Sequence, residues 1–265
     1  MALTSSLDPY VDRDSPVHAL DARVKLLLTL ALVLALALIP AGRWSAMIAI
    51  AALLWWAVLR SAVGPGLILR RAFIAAPFAL AALTLVVTRP GAPLLRLPLG
   101  PLTLTVTDAG LVAFASVILK TWLSVQAALL LMATSRFTEV LGALRSLGLP
   151  AVLVAMLGFA YRYLFVLVDE AERLLRARDS RAAALPGRRA GGPIAWRAGV
   201  LEGMVGTLFV RAYERSERIH AAMLSRSYTG EFRSFPPRSL TTSEQGLLIA
   251  GAALLAAIVW LAYWR

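Results

Sequence analysis

Uncharged apolar runs of 16 to 20 residues recur along this chain, and they restrict its fold more than any other feature. Four such runs cover residues 26–42, 44–59, 72–88 and 245–264. An α-helix needs about 20 residues to cross the roughly 30 Å of hydrocarbon in a bilayer. In addition, 59% of the 265 residues are hydrophobic, compared with about 45–50% in a typical soluble domain. We therefore expect an all-α integral membrane protein.

Five segments are predicted to cross the membrane, at residues 25–41, 44–60, 70–88, 109–134 and 245–264. Pro40 and Gly42 lie in the short link between the first two, which predicts a helical hairpin. Lys120 lies near the middle of the fourth segment, where a charge is costly. It indicates a contact with another subunit, or else snorkelling or a structural bond to Gln126, Thr121 or a neighbouring helix. Residues 89–108 alternate apolar with polar residues and contain several prolines, which predicts an extended loop or a short hairpin.

A short amphipathic helix and two long helices are predicted between the fourth and fifth spans. Residues 135–150 carry one apolar stripe, which is typical of a helix at the membrane interface. Residues 151–184 begin apolar and become charged, and a break rich in Gly, Pro and Arg separates them from a second helix at about 196–228. The sequence leaves open whether residues 151–168 lie along the membrane surface or enter it.

This pattern divides the chain into three regions. They are an N-terminal membrane region at 1–134, a cytoplasmic or interfacial region at 135–239, and a C-terminal membrane helix at 240–265. With the N-terminus inside, 22 of the 27 Lys and Arg residues lie on the inner side and four on the outer side. Because Lys and Arg accumulate in cytoplasmic loops, we expect a cytoplasmic N-terminus in a bacterial inner membrane. The net charge of +12 then belongs mostly to a cytoplasmic surface, so it gives no support for nucleic-acid binding.

The two long helices share an internal repeat at a constant offset of 45 residues. Each copy contains an acid, a Glu-Arg pair, an Ala and a Ser-Arg pair. The first copy is Asp169, Glu172, Arg173, Ala177, Ser180 and Arg181, and the second is Glu214, Glu217, Arg218, Ala222, Ser225 and Arg226. Both copies are therefore expected to end in an exposed arginine at a helix terminus.

Local charge pairs are expected to brace these helices. The acid-first spacings are Asp169→Arg173, Glu172→Arg176 and Glu214→Arg218, each worth about 0.2–0.5 kcal/mol. Arg181 and Arg226 also suit the negative end of the helix dipole, so both could be ordinary terminal arginines. Their matching contexts favour a second interpretation, in which each guanidinium binds carboxylates and carbonyls in a partner's groove.

At these positions the chain resembles the transmembrane T component of energy-coupling-factor (ECF) ABC transporters. Two long coupling helices of that family each end in an Ala-Arg-Gly motif. Ser180-Arg181-Ala182 and Ser225-Arg226-Ser227 stand in the corresponding places. The arginine is kept in both, whereas the flanking Ala and Gly are replaced by other small residues.

Within that family the chain is most similar to CbiQ, the T component of cobalt transporters. The similarity covers the opening Ser-Pro-Val-His-Ala-Leu-Asp-Ala-Arg-Val-Lys-Leu at 15–26 and the segment Tyr-Thr-Gly-Glu-Phe-Arg at 228–233. The resemblance implies a non-catalytic subunit of an ATP-driven importer, with cobalt as the expected cargo and nickel or a vitamin as the alternative.

The resemblance also implies the partners. They are two ABC ATPase subunits (CbiO-like), a substrate-binding membrane subunit (CbiM-like) and a small accessory membrane subunit (CbiN-like). ATP and Mg²⁺ would be bound by the ATPases and Co²⁺ by the substrate-binding subunit. No cofactor is expected on this chain.

Other kinds of site find little support in the sequence. There is no Cys, and the two histidines, His18 and His220, have no second His or carboxylate at ligand spacing in a membrane segment. No metal site and no catalytic residue are therefore predicted. A secondary transporter without an ATPase is the alternative from another class. It would need converging polar groups inside the membrane, and the spans offer little beyond Lys120 and Gln126.

Overall fold

The computed structural model describes residues 9–99, 102–181, 193–228 and 239–264. The described residues form two compact units. The long-helix unit contains those of Leu147–Pro236, and the membrane-helix unit contains those of Pro9–Ser146 and Pro237–Arg265.

The membrane-helix unit begins with one short helix and two apolar ones. They are α1 (Pro16–Ala19), α2 (Ala22–Leu38) and α3 (Trp44–Arg60). Asp21 caps α2, because its carboxylate accepts a hydrogen bond from the Arg23 backbone N–H at 2.9 Å. Gly42 lies between α2 and α3 with a φ of 86°, a conformation that glycine adopts without steric cost. With 17 residues each, α2 and α3 are about 26 Å long, which is just short of the hydrocarbon thickness.

The third predicted span is a broken helix. It consists of α4 (Pro65–Ala72), a 3₁₀ turn (Phe73–Ala75), α5 (Ala76–Ala82) and α6 (Thr84–Thr88). Pro77 lies in the first turn of α5 and has no N–H to continue the preceding α-helix, so the chain tightens into the 3₁₀ turn before it. The whole path Pro65–Thr88 is still long and apolar enough to cross a membrane.

A β-hairpin follows, as one of the two predicted alternatives for residues 89–108. Strands β1 (Pro93–Leu99) and β2 (Leu102–Thr107) pair antiparallel, with Pro93 opposite Thr107 and Leu97 opposite Leu104. Thr107 then caps the next helix, α7 (Asp108–Thr134), by accepting a hydrogen bond from the Gly110 N–H at 3.1 Å.

The remaining helices are α8 (Phe137–Ser146), α9 (Ala151–Arg181), α10 (Ile194–Leu224) and α11 (Thr242–Trp264). The sequence grouped α8 with the long helices, but α8 packs on α2 in the membrane-helix unit. Its buried Ala143 joins a small apolar cluster with Ala22 and Leu26. A stripe on one short helix predicts that a face is buried, but it does not say against which neighbour.

The core of the membrane-helix unit lies between α2, α3, α7 and α11. Fully buried members include Leu36, Met47 and Ile50, and Leu123 of α7 and Leu255 of α11 pack in the same cluster. Four described helical segments are long and apolar enough to span a membrane: Pro65–Thr88, Asp108–Thr134, Ala151–Arg181 and Thr242–Trp264. With the shorter apolar helix α3, they establish an all-α multi-pass membrane protein.

Two lysines donate hydrogen bonds to carbonyl groups at the carboxyl ends of helices in this unit. Lys25 is 7% exposed, and its Nζ donates to the Thr134 carbonyl at the end of α7 at 2.7 Å. Lys120 donates to the carbonyl of Ile39, the C-cap of α2. A cation there satisfies an unpaired carbonyl and opposes the negative end of the helix dipole. Of the alternatives for Lys120, the structure shows the bond to a neighbouring helix.

Candidate functional site

The predicted docking residues lie on the two long helices of the long-helix unit. Helices α9 and α10 have 31 residues each, so each is about 46 Å long. Helix α9 starts directly after Pro150 and α10 directly after Pro193. A proline at these positions suits a helix start because its missing N–H would have no partner inside the helix. No residue of either helix is fully buried.

Both helix tips have the same local hydrogen bond. The Ser180 hydroxyl donates to the carbonyl of Ala177 at 2.9 Å, and the Ser225 hydroxyl donates to the carbonyl of Ala222 at 2.9 Å. These are the residues that match in the 45-residue repeat, so the repeat extends from sequence to local geometry. Each serine hydroxyl is thus bonded within its own helix, and the arginine that follows it is exposed.

The end of α10 shows why a small residue follows the arginine. Ser227 has a left-handed φ of 59°, its N–H donates to Leu224, and the Tyr228 N–H donates to Met223, both at 3.0 Å. This is the Schellman closure, whose left-handed position glycine usually fills. Because of it, α10 ends at Leu224 rather than at the predicted residue 228. The motif Gly of the resembling family corresponds to this position.

Arg181 and Arg226 are both exposed. Among the described residues, neither guanidinium has a hydrogen-bond or ion-pair partner. Ala182, the third residue of the first motif, lies outside the described residues. The two arginines thus present ten N–H donors to solvent at two helix ends, since each guanidinium carries about five. Such a fork matches carboxylate or carbonyl oxygens on a partner.

The predicted bracing charges lie on α9 (Asp169, Glu172, Arg173) and α10 (Glu214, Glu217, Arg218). Glu172 pairs with Arg176 at 3.1 Å and Glu214 with Arg218 at 3.7 Å. The expected pairing of Arg173 with Asp169 is wrong in the described part of the chain, because Arg173 lies 3.7 Å from Glu170 instead. Glu170 also binds Arg211 of α10 and so holds its carboxylate on that side.

The sequence did not predict the Glu170–Arg211 ion pair, which joins the two long helices. One signal was present. Glu170 continues the spacing of Phe159, Tyr163 and Val166, the α9 residues that line a groove of about 260 Å³ between the helices. A carboxylate on an otherwise apolar stripe indicates a charged partner on the facing element.

The residues that line the groove show that α9 and α10 run antiparallel. Its α9 residues precede Glu170, whereas its α10 residues follow Arg211, from Ala212 to Met223. The helices therefore pass each other in opposite directions. Arg181 lies about 16 Å beyond the ion pair on one side, and Arg226 about 22 Å beyond it on the other. The two tips point away from each other and can be at most about 39 Å apart along the helices.

The two histidines, His18 and His220, belong to different units. The ring of His18 is hydrogen-bonded to the Ser15 hydroxyl at 2.7 Å and to the Val11 carbonyl at 3.0 Å. His220 is exposed on α10. Within residues 9–99, 102–181, 193–228 and 239–264, no group of three or more His, Asp or Glu side chains is placed to hold a metal ion.

Comparison with known proteins identifies the family. The family described as CbiQ, cobalt transport protein, matches residues 13–236, which include both long helices and both tips. The chain belongs to the CbiQ family. The resemblance read from the tip motifs is thereby confirmed.

Individual curated proteins are similar to this chain over much of its length. The energy-coupling factor transporter transmembrane protein EcfT of Heliobacterium modesticaldum is 31% identical over 235 residues, covering 85% of this chain and 84% of the relative. The cobalt transport protein CbiQ of Rhodobacter capsulatus is 26% identical over 173 residues, covering 64% and 68%. The chain spans about half of the uncharacterized protein MJ1571 of Methanocaldococcus jannaschii, at 27% identity over 157 residues, 59% of this chain and 51% of the relative.

Proposed function

We propose that this chain is the transmembrane coupling subunit, or T component, of an ECF-type ABC importer for cobalt ions. The observation that carries the proposal is the pair of equivalent helix tips, each with an exposed arginine beside a serine bonded to the carbonyl three residues earlier. Family membership and the names of the EcfT and CbiQ relatives support it.

The tips suit a mechanical function. Each arginine inserts into a groove on one of two ATPase subunits, where its fork binds carboxylate or carbonyl oxygens. Because the tips lie on opposite sides of the Glu170–Arg211 contact, each ATPase holds one of them. When the ATPases close around ATP and Mg²⁺, the two grooves move together and carry the helices with them. ATP hydrolysis takes place on the partner subunits.

The membrane-helix unit receives this motion and passes it to a separate substrate-binding membrane subunit that holds the cargo. In a CbiQ-type complex this subunit is CbiM-like, with a small CbiN-like subunit beside it. The distribution of Lys and Arg, 22 inside and four outside, supports a cytoplasmic N-terminus in the inner membrane of a bacterium.

The test of this function is charge reversal at both tips. Arg181→Glu with Arg226→Glu replaces each donor fork by a carboxylate that repels acidic groove groups. We expect the ABC ATPase subunits co-expressed with this chain to be lost on co-purification, together with cobalt uptake by cells expressing the whole transporter.

The matched control is Arg176→Glu with Arg218→Glu. It makes the same change of charge on the same helices, at arginines that pair with acids of their own helix. This control should keep the ATPases bound. If the tip variant also keeps them and transports normally, the coupling function is wrong. If nickel or a vitamin accumulates in place of cobalt, the T-component function stands and the cargo is corrected.

A further inference from the structure

One ion pair in the long-helix unit joins the two long helices to each other. The Glu170 carboxylate binds the Arg211 guanidinium across the two helices and also lies 3.7 Å from Arg173 on its own helix. The Glu170 side chain is only 15% exposed, whereas Arg211 is 55% exposed. The shielded Glu170 carboxylate is thus the acceptor, Arg173 of its own helix lies beside it, and Arg211 of the other helix donates to it.

The groove between α9 and α10 is lined mostly by apolar side chains, with Arg215 and Ser216 also on its α10 wall, and it leaves space. Ala212, Ile219 and Met223 of α10 face Phe159 and Tyr163 of α9 around the groove of about 260 Å³. Apolar contact is non-directional, so it holds the helices together without fixing how far one slides or turns against the other. A guanidinium–carboxylate bond is directional, because both groups are planar and donate or accept along set lines.

We propose that Glu170 and Arg211 are a positioning pair that sets the register and crossing angle of the two long helices. Through that angle they set the separation of the Arg181 and Arg226 tips. This inference rests on the proposed coupling function, because a fixed separation matters only if both tips dock at once. The leverage is large: a rotation of about 10° at the pair moves the Arg226 end, about 22 Å away, by about 4 Å.

The pair can be tested by measuring a distance across the helices in the full-length chain. The chain has no native cysteine, so Ala160→Cys and His220→Cys supply the two thiols for spin labels. Both positions are exposed. Ala160 lies ten residues before Glu170 and His220 nine residues after Arg211, so both labels lie at the same end of the ion pair, toward the groove. Pulsed electron paramagnetic resonance on detergent-solubilised protein then reports the distance between the labels.

Three changes are introduced into this labelled background: Glu170→Arg, Arg211→Glu, and both together. Each single change places like charges opposite one another, so we expect the distance to shift by at least about 2–3 Å, as a rotation of about 10° would produce with these arm lengths, and to broaden. The double change restores an opposite-charge pair and should return the distance to that of the parent. Glu170→Gln keeps the shape of the side chain and removes its charge. It should broaden the distance distribution, and it serves as the test if a charge reversal prevents folding.

The control is Glu172→Arg, a reversal two residues away at an acid that pairs with Arg176 of its own helix. It should leave the distance unchanged. The positioning function is overturned if Glu170→Arg, Arg211→Glu and Glu170→Gln all give the parental distance, or if the double change fails to restore it. Because this measurement uses the chain without ATPases, its failure is separate from failure of the tip-reversal test.

Discussion

The two arginine tips should contribute independently to ATPase binding. Arg181→Ala and Arg226→Ala each remove one guanidinium without adding a repulsive charge, and the double variant removes both. The structure places them on opposite sides of the Glu170–Arg211 contact. Sites more than about 7–10 Å apart with no shared partner usually give additive effects on free energy. The tips are expected to meet this condition.

The expected loss follows from the bonding capacity of each tip. Both guanidinium groups are exposed, so the fork is available to a partner. Hydrogen bonds to charged groups are worth about 1.5–3 kcal/mol. Taking about 2 kcal/mol for each tip, one alanine variant weakens binding roughly 30-fold. The double variant then weakens binding roughly 1,000-fold, the product of the two.

The assay is an equilibrium titration of the purified chain, in detergent or nanodiscs, with the co-expressed ATPase pair. Arg218→Ala is the control, because Arg218 lies on α10 and pairs with Glu214 at 3.7 Å. We expect it to stay within about twofold of the parent, since an exposed helical pair is worth about 0.2–0.5 kcal/mol. A double variant that binds no more weakly than the weaker single variant would refute the independence of the tips.

Three further predictions concern stability, measured by thermal unfolding in detergent. Gly110→Ala should destabilise the protein by about 1–3 kcal/mol, because its Cβ would lie 2.6 Å from a backbone carbonyl of α6. The control Gly142→Ala, whose Cβ would meet nothing within 4 Å, should leave the stability unchanged or raise it by up to about 1 kcal/mol. Equal effects of the two substitutions would contradict this account. Lys120→Met should cost about 1.5–3 kcal/mol by removing the charged donor at the end of α2, with ATPase binding unchanged; loss of binding would instead indicate a contact with a partner. Ser227→Gly should raise the melting temperature, since glycine adopts the φ of 59° at lower cost than serine, and a lower one would contradict this account of the helix end.

Much of the helical framework could be predicted from the sequence. Apolar runs near the length of a bilayer crossing require helices in lipid, because only a helix satisfies every backbone group within its own segment. The short link between α2 and α3 and the two long helices follow from local composition, which also offered the hairpin at β1 and β2 as one of two alternatives. The tip arginines were also predicted, because the 45-residue repeat is visible in the residue types alone.

Some local features needed the backbone. The third span contains Pro77, but a proline does not say whether the chain kinks, ends or tightens into a 3₁₀ turn, and here it tightens at Phe73–Ala75. Likewise, serine as a residue type does not predict the left-handed conformation of Ser227, which depends on the closing hydrogen bonds around it.

The paired arginine tips were determined by the sequence, since a helix end and its capping bonds depend on residues within a few positions of each other. Only the tertiary structure decided how the tips are related. The Glu170–Arg211 bond joins residues 41 positions apart, and Arg173 lies beside Glu170 instead of pairing with the expected Asp169. The spacing of residues along one helix predicts which face is apolar. It does not predict which charge on another helix will face it, because the relative placement of two helices depends on contacts between both faces at once.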